Sequence, residues 1–155
     1  MKFAGYIVAV VFSLAWPLNA ARADMRAPKP RPQNPNFEAG RKAVDAKDFK
    51  AALGPLTKAA TETPNDADVH NLLGYSYRKL GQFDGALEHY RTALKIDPNH
   101  RGTQEYLGEL YLDMGQLGDA EKQLQVLYKA CPWFGRCEEY EDLKEAIEIY
   151  KAKKK

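Results

Sequence analysis

Three segments of this chain repeat at a spacing of 34 residues. Gly40, Gly74 and Gly108 stand in that register, and so do Ala43, Tyr77 and Tyr111. It also links Ala52, Ala86 and Ala120, then Leu56, Tyr90 and Leu124, then Ala59, Ala93 and Leu127, then Pro64, Pro98 and Pro132. A fixed period of this length marks stacked supersecondary units, none of which buries its apolar face alone. Such arrays present extended surfaces, so binding is a better expectation than catalysis.

Each unit reads as two helices. In the middle unit the first is expected from about Ala67 to Leu80 and the second from about Asp84 to Ile96. Leu72, Leu73, Tyr77 and Leu80 recur at helical spacing. Gly81 is a C-terminal stop, Asp84 is the expected N-cap of the second helix, and Asp97-Pro98 ends it. Gly74 and Ala86 are small where paired helices approach, and Tyr77 and Tyr90 are large enough to fill what remains. Gly54-Pro55 interrupts the second helix of the first unit. A mid-helix proline costs about 3 kcal/mol. A bend is expected there, or a helix that starts near Pro55, with the first unit the loosest.

The pattern resembles the tetratricopeptide repeat (TPR). The middle unit carries its signature as Leu73-Gly74, Tyr77, Ala86, Tyr90, Ala93 and Pro98. The third has Leu107-Gly108, Tyr111, Ala120, Leu124, Leu127 and Pro132, and the first keeps Gly40, Ala52, Ala59 and Pro64. The resemblance implies an all-α fold, a right-handed α-solenoid of three repeats at 37–66, 67–100 and 101–134, closed by a capping helix and basic tail at 135–155. It also implies a concave groove lined by the first helix of each unit. The family's ligand-facing positions fall on Phe37, Arg41 and Val44, with Asn34 just before, then on Asp68, Asn71, Tyr75 and Arg78, then on Glu105, Glu109 and Leu112. The groove is therefore expected to be basic and aromatic at its start and acidic at its end. Arg41, Tyr75 and Arg78 would hold a carboxylate or a peptide backbone, and Glu105 and Glu109 would receive a basic side chain. The family's clamp for acidic chaperone tails uses basic residues where this chain has Phe37, Glu105 and Glu109, which argues against that ligand.

The ends differ in kind from the array. Met1-Lys2, an apolar run from Phe3 to Leu14 and Ala21-Arg22-Ala23 read together as a cleavable signal peptide over 1–23, and hence as export to the periplasm or beyond. Cleavage would remove Lys2 and Arg22 and no acid, taking the formal charge from +2 to 0. A neutral exported domain lacks the basic footprint of a nucleic-acid binder. No membrane insertion is expected after cleavage. Residues 24–36 hold four prolines and almost no apolar side chains, so they read as an extended linker.

Cys131 and Cys137 enclose Pro132-Trp133-Phe134-Gly135-Arg136, just before a last helix expected over about Glu138–Lys153. In an exported protein the pair reads as a disulfide worth about 2 kcal/mol. A thiol-redox factor is the alternative, although the spacing is not that of a Cys-x-x-Cys motif. Tyr140, Leu143, Ile147 and Tyr150 share one face of that helix, and acids fill much of the rest. It should cover the third unit's open face, as solenoids require.

No Gly-rich phosphate loop, zinc-protease motif or nucleophile elbow is present. His70, His89 and His100 lie apart from the cysteines in sequence. No catalytic residue, metal or cofactor is expected. The expected partner is a protein or peptide in the groove, with self-association into a scaffold as the alternative.

Overall fold

The computed structural model describes residues 34–131 and 137–154. The signal-peptide reading, all of the linker before Asn34, and residues 132–136 between the two cysteines lie outside the described residues. Seven helices follow in chain order: α1 (Pro35–Asp45), α2 (Phe49–Glu62), α3 (Ala67–Lys79), α4 (Phe83–Ile96), α5 (Arg101–Asp113), α6 (Leu117–Ala130) and α7 (Glu138–Lys153). Each of α1, α3 and α5 packs chiefly against the helix that follows it. Along the array α1 touches α3, α3 touches α5 and α5 touches α7. No such contact links α2 to α4 or α4 to α6 among the described residues. The odd-numbered row is the crowded one, so the array curves toward it. The chain is an α-solenoid, and its inner face belongs to α1, α3, α5 and α7.

The turns inside the three pairs share one geometry. Lys47, Gly81 and Gly115 stand in the 34-residue register, and all three have positive φ (60°, 72° and 77°). In each, the next residue's N–H donates back across the helix end: Asp48 to Ala43, Gln82 to Tyr77 and Gln116 to Tyr111. This is a Schellman closure, for which glycine is the unstrained residue. Lys47 adopts the same conformation with a Cβ, at a cost of about 1 kcal/mol.

Two helix starts differ from expectation. Asp84 is not an N-cap: Gln82 holds that position without a side-chain bond, and Asp84 lies in the first turn of α4. There its carboxylate meets the positive end of the helix dipole. Pro35 and Asn36, read as linker, instead open α1. Asn34 caps the helix by accepting from the N–H groups of Asn36 and Phe37. Pro35 sits at the first position, where its missing N–H costs nothing. Glu62, at the end of α2, accepts from the side-chain amides of Asn34 and Asn36, both at 2.9 Å, and ties the two ends together.

The helix around Pro55 does not begin there. α2 starts at Phe49 and runs through Pro55 to Glu62. The carbonyl that Pro55 leaves unpaired is that of Ala51, which is exposed, so water can take the bond. The apolar face of α2 is intact: Ala52, Leu56 and Ala59 are fully buried with Val69 and Leu73.

Small-against-large packing sets the helix separations. A Cβ on Gly40 would meet Leu56 at 2.5 Å, and one on Gly74 would meet the Tyr90 ring at 2.6 Å. At Gly108 the register partner Leu124 is not the filler. Leu143 of α7 takes the space, 2.5 Å from a Cβ at Gly108. Leu143 and Ile147 are buried with Leu112, Ala120 and Leu127, so α7 covers the third pair through the face expected of it.

Candidate functional site

The inner face is built by contacts between α3 and α5. Tyr75 of α3 lies against Tyr106 of α5, ring centroids 4.8 Å apart, and against Phe49 at the start of α2, 5.7 Å away and edge-on. Lys79 places its Nζ 5.1 Å from the Tyr75 ring centre. Below them, Arg78 of α3 crosses to α5. Its Nη1 donates to Glu109, and its Nε donates to Asp113 at 2.7 Å. Arg78 is only 8% exposed. Burial pulls its guanidinium pKa down, but Glu109 and Asp113 outweigh that and hold it above its ordinary value. Above them, the Thr103 hydroxyl donates to Asn71 at 3.1 Å inside the protein. At the helix starts His100 Nε2 meets Asp68 at 3.0 Å, while its Nδ1 accepts from the Thr103 N–H and caps α5.

These contacts relocate the candidate residues. Arg78 and Glu109, expected to greet opposite ends of a ligand, satisfy each other. Asn71 is spent on an interhelix bond. Phe37 and Val44 pack against the core between α1, α2 and α3 rather than facing a ligand. Arg41 is exposed and bonds Glu38 at 2.5 Å and Asp45 at 3.6 Å within its own helix, away from Tyr75 and Arg78. Tyr75 and Glu105 remain as groove-facing groups. Tyr106 and Phe49 join them and were missed. The signal was arithmetic: Tyr75–Tyr106 and Arg78–Glu109 are each 31 residues apart, one helical turn short of the period. That offset brings side chains together across neighbouring first helices.

Glu105 is the unusual member. Its side chain is half-buried and has no hydrogen-bond or ion-pair partner among the described residues. Burial first, then Glu109, Asp142 and Glu139, push its pKa up to about 8, with Arg78 opposing. Tyr106 beside it is raised chiefly by burial and then by Glu105. Tyr90 of α4 reaches past Gly74 toward the same group. It is fully buried, and its hydroxyl has no partner among the described residues. Burial raises its phenol pKa, Arg78 lowers it, and Glu109, Tyr106 and Tyr75 add to the rise. The inner face continues to an open groove of about 250 Å³ between α5 and α7, lined by Arg78, Asp113, Ala146, Ile149 and Lys153 among others.

Two histidines also meet. His70 Nδ1 and His89 Nδ1 lie 3.2 Å apart, with ring centroids 5.5 Å apart. Those two distances put the nitrogens nearly on the line between the rings, which is an N–H···N bond rather than face stacking. His70 Nε2 meets the Pro64 carbonyl at 3.2 Å and must be its donor. Neutral His70 therefore accepts at Nδ1 from His89. No cluster of three or more His, Cys, Asp or Glu suited to a metal occurs among the described residues.

One family model matches the sequence of the middle pair. Residues 67–100 match the tetratricopeptide repeat. The TPR match covers the whole middle pair. The chain is 32% identical over 97 residues to the Protein CTR9 homolog of Arabidopsis thaliana, covering 61% of this chain and 9% of that protein. It is 30% identical over 86 residues to small glutamine-rich tetratricopeptide repeat-containing protein 2 of Mycosarcoma maydis, covering 56% and 24%. The chain thus spans about a tenth to a quarter of the length of the curated relatives it matches. In structure it is similar to the Yersinia enterocolitica type III secretion chaperone SycD in complex with a peptide of the translocator YopD. That likeness has a TM-score of 0.67 at 18% identity, over 77% of this chain and 92% of the other. It shows the TPR-type solenoid fold.

Proposed function

We propose that this chain is an exported, non-catalytic adaptor that binds an extended segment of another protein along the inner face of α3, α5 and α7. The observation that carries the reading is the Tyr75–Tyr106 pair beside the unpartnered Glu105. Two half-buried aromatic rings and a half-buried carboxyl group stand on one side of the array, with Lys79 beside the Tyr75 ring. Buried aromatic anchors of this kind carry much of the energy of peptide recognition. The helices beneath are held by the Arg78–Glu109–Asp113 and Asn71–Thr103 bridges, so the surface is preorganised. SycD, of similar fold, holds a YopD peptide in its own structure.

Export rests on the signal-like residues 1–23. It agrees with the cysteines: Cys131 and Cys137 have Cα atoms 5.9 Å apart, a separation that a disulfide spans, and Cys137 is the N-cap of α7. An oxidised pair would anchor α7 where it completes the groove.

The test is a pull-down from periplasmic extract with wild type beside a Tyr75→Ala/Tyr106→Ala variant of matching circular dichroism. Arg78 is left in place, because removing it would strand Glu109 and Asp113. A protein retained by wild type and lost from the variant supports the groove. Equal retention moves the interface elsewhere. A second reading, self-association, draws on the exposed Val126 and Tyr128 of α6 and Ile149 of α7. A monomer by light scattering at high concentration would exclude it.

A further inference from the structure

We infer that Glu105 is the receptor for a cationic side chain, arginine or lysine, carried by the segment that occupies the inner face. The inference deepens the groove reading and rests on it.

The reasoning begins with what surrounds Glu105. Its carboxyl stands on α5 with Tyr106 and Glu109 of its own helix, Tyr75 and Arg78 of α3, and Glu139 and Asp142 of α7 around it. The cations there are already engaged. Arg78 bonds Glu109 and Asp113. Arg101 pairs with Glu139 at 3.4 Å. Lys79 lies over the Tyr75 ring. Of the four carboxyl groups that share this neighbourhood, Glu109 and Glu139 have cation partners, whereas Glu105 and Asp142 have none among the described residues; Asp142 is exposed to water and Glu105 is half-buried.

A second polar group is unmet in the core beneath, near Arg78, Glu109, Tyr106 and Tyr75. The Tyr90 hydroxyl is fully buried and unpartnered behind Tyr75 and Tyr106. A buried polar atom without a partner is costly, and such atoms are few in native proteins. The Glu105 carboxylate and the Tyr90 oxygen are both acceptors. An ammonium brings three N–H donors and a guanidinium five, enough to satisfy the Glu105 carboxylate. The Tyr106 ring adds cation–π attraction, the Tyr75 ring being already taken by Lys79. An acidic ligand would instead meet repulsion from α5 and α7.

The protonation follows. With the groove empty, Glu105 holds its proton near neutrality, because its pKa lies at about 8. The arriving cation favours the ionised form, so the carboxyl loses one proton to solvent as the ion pair forms. Affinity therefore rises with pH up to about 8 and levels off above. Below that it weakens by up to about tenfold per pH unit.

The probe is four mixtures of labelled, end-blocked 12-residue peptides. They have the same degenerate flanks and a central arginine, lysine, citrulline or glutamate. Each is titrated against the full chain by fluorescence polarisation from pH 6 to pH 9, with Glu105→Gln and Tyr75→Ala/Tyr106→Ala variants checked by circular dichroism. The arginine and lysine mixtures should bind about tenfold or more tighter than the citrulline and glutamate ones at pH 8. Glu105→Gln should erase that preference and its pH dependence while leaving weaker binding in place. Binding with no preference for a cation, or a preference unchanged by Glu105→Gln, overturns the inference and leaves the groove standing. Binding that ignores the tyrosine pair, or no binding by any mixture, overturns the groove reading and the inference together.

Discussion

The middle and third helix pairs share a register and differ in how they are closed. In the middle pair, Tyr90 of α4 fills the hollow at Gly74 of α3, so the pair supplies its own filler. In the third pair Leu124, in register with Tyr90, is only half-buried, and Leu143 of α7 fills the hollow at Gly108. One unit is complete within its own residues; the other is complete only when α7 docks. The integrity of the groove's acidic end, where Glu139 and Asp142 approach Glu105, thus depends on a helix that begins at its N-cap Cys137.

The largest expected effect strikes that dependence directly. Leu143→Ala should destabilise the chain by about 3 kcal/mol in urea unfolding, the typical cost of a buried leucine cavity. Leu124→Ala should cost about 1 kcal/mol. Equal costs would mean that the two pairs are closed in the same way.

Cys137→Ser, or reductant on the wild type, should cost about 2 kcal/mol. Amide exchange would sharpen the contrast: protection should fall in α7 and α5 and persist in α3 and α4. Uniform loss would show that the array unfolds as one unit and that the Cys131–Cys137 link has no local role.

The middle pair has its own weak point in the His70–His89 bond. Burial first, and then His70, hold the His89 pKa below its ordinary value, with Glu88 opposing. A depressed imidazole binds fewer protons folded than unfolded. Stability is therefore full above about 6.5 and falls as pH drops below that value. The pair tolerates one added proton but not two, because two N–H groups would then face each other. His89→Gln should flatten the melting temperature between pH 7 and pH 5, and an unchanged slope would assign the acid sensitivity elsewhere.

The smallest effect concerns the first pair. Gly54 lies mid-helix in α2 directly before Pro55, and a Cβ there would meet nothing within 4 Å outside its chain neighbours and its own helix backbone. Gly54→Ala should stabilise the chain by about 0.5–1 kcal/mol in chemical unfolding. A loss would show that α2 needs the glycine to run through Pro55.

Helix positions were largely legible in the residues. α3 and α4 lie within a residue or so of expectation, and α7 spans Glu138–Lys153 as read. Periodicity and punctuation are local properties, and helices answer to them. Asp84 and Pro55 misled because a turn residue and a proline each have more than one permitted place at or inside a helix. The candidate site was less legible. Tyr75 and Glu105 emerged on the inner face, but Asn71, Arg78 and Glu109 turned inward to each other's helices. A list of ligand-facing positions treats each helix alone, whereas a charge on one inner helix first finds its complement on the next.

Alone, then, the sequence determined the period, the helices, the small residues at close approaches and the need for a closing helix. Each of these follows from backbone rules and side-chain volume within one unit. Only the tertiary structure decided which polar groups spend their bonding inside the array and which keep it for a partner. That outcome depends on side chains 31 to 35 residues apart meeting across α3 and α5, and on α7 bringing further carboxyl groups to a glutamate that no neighbour had paired.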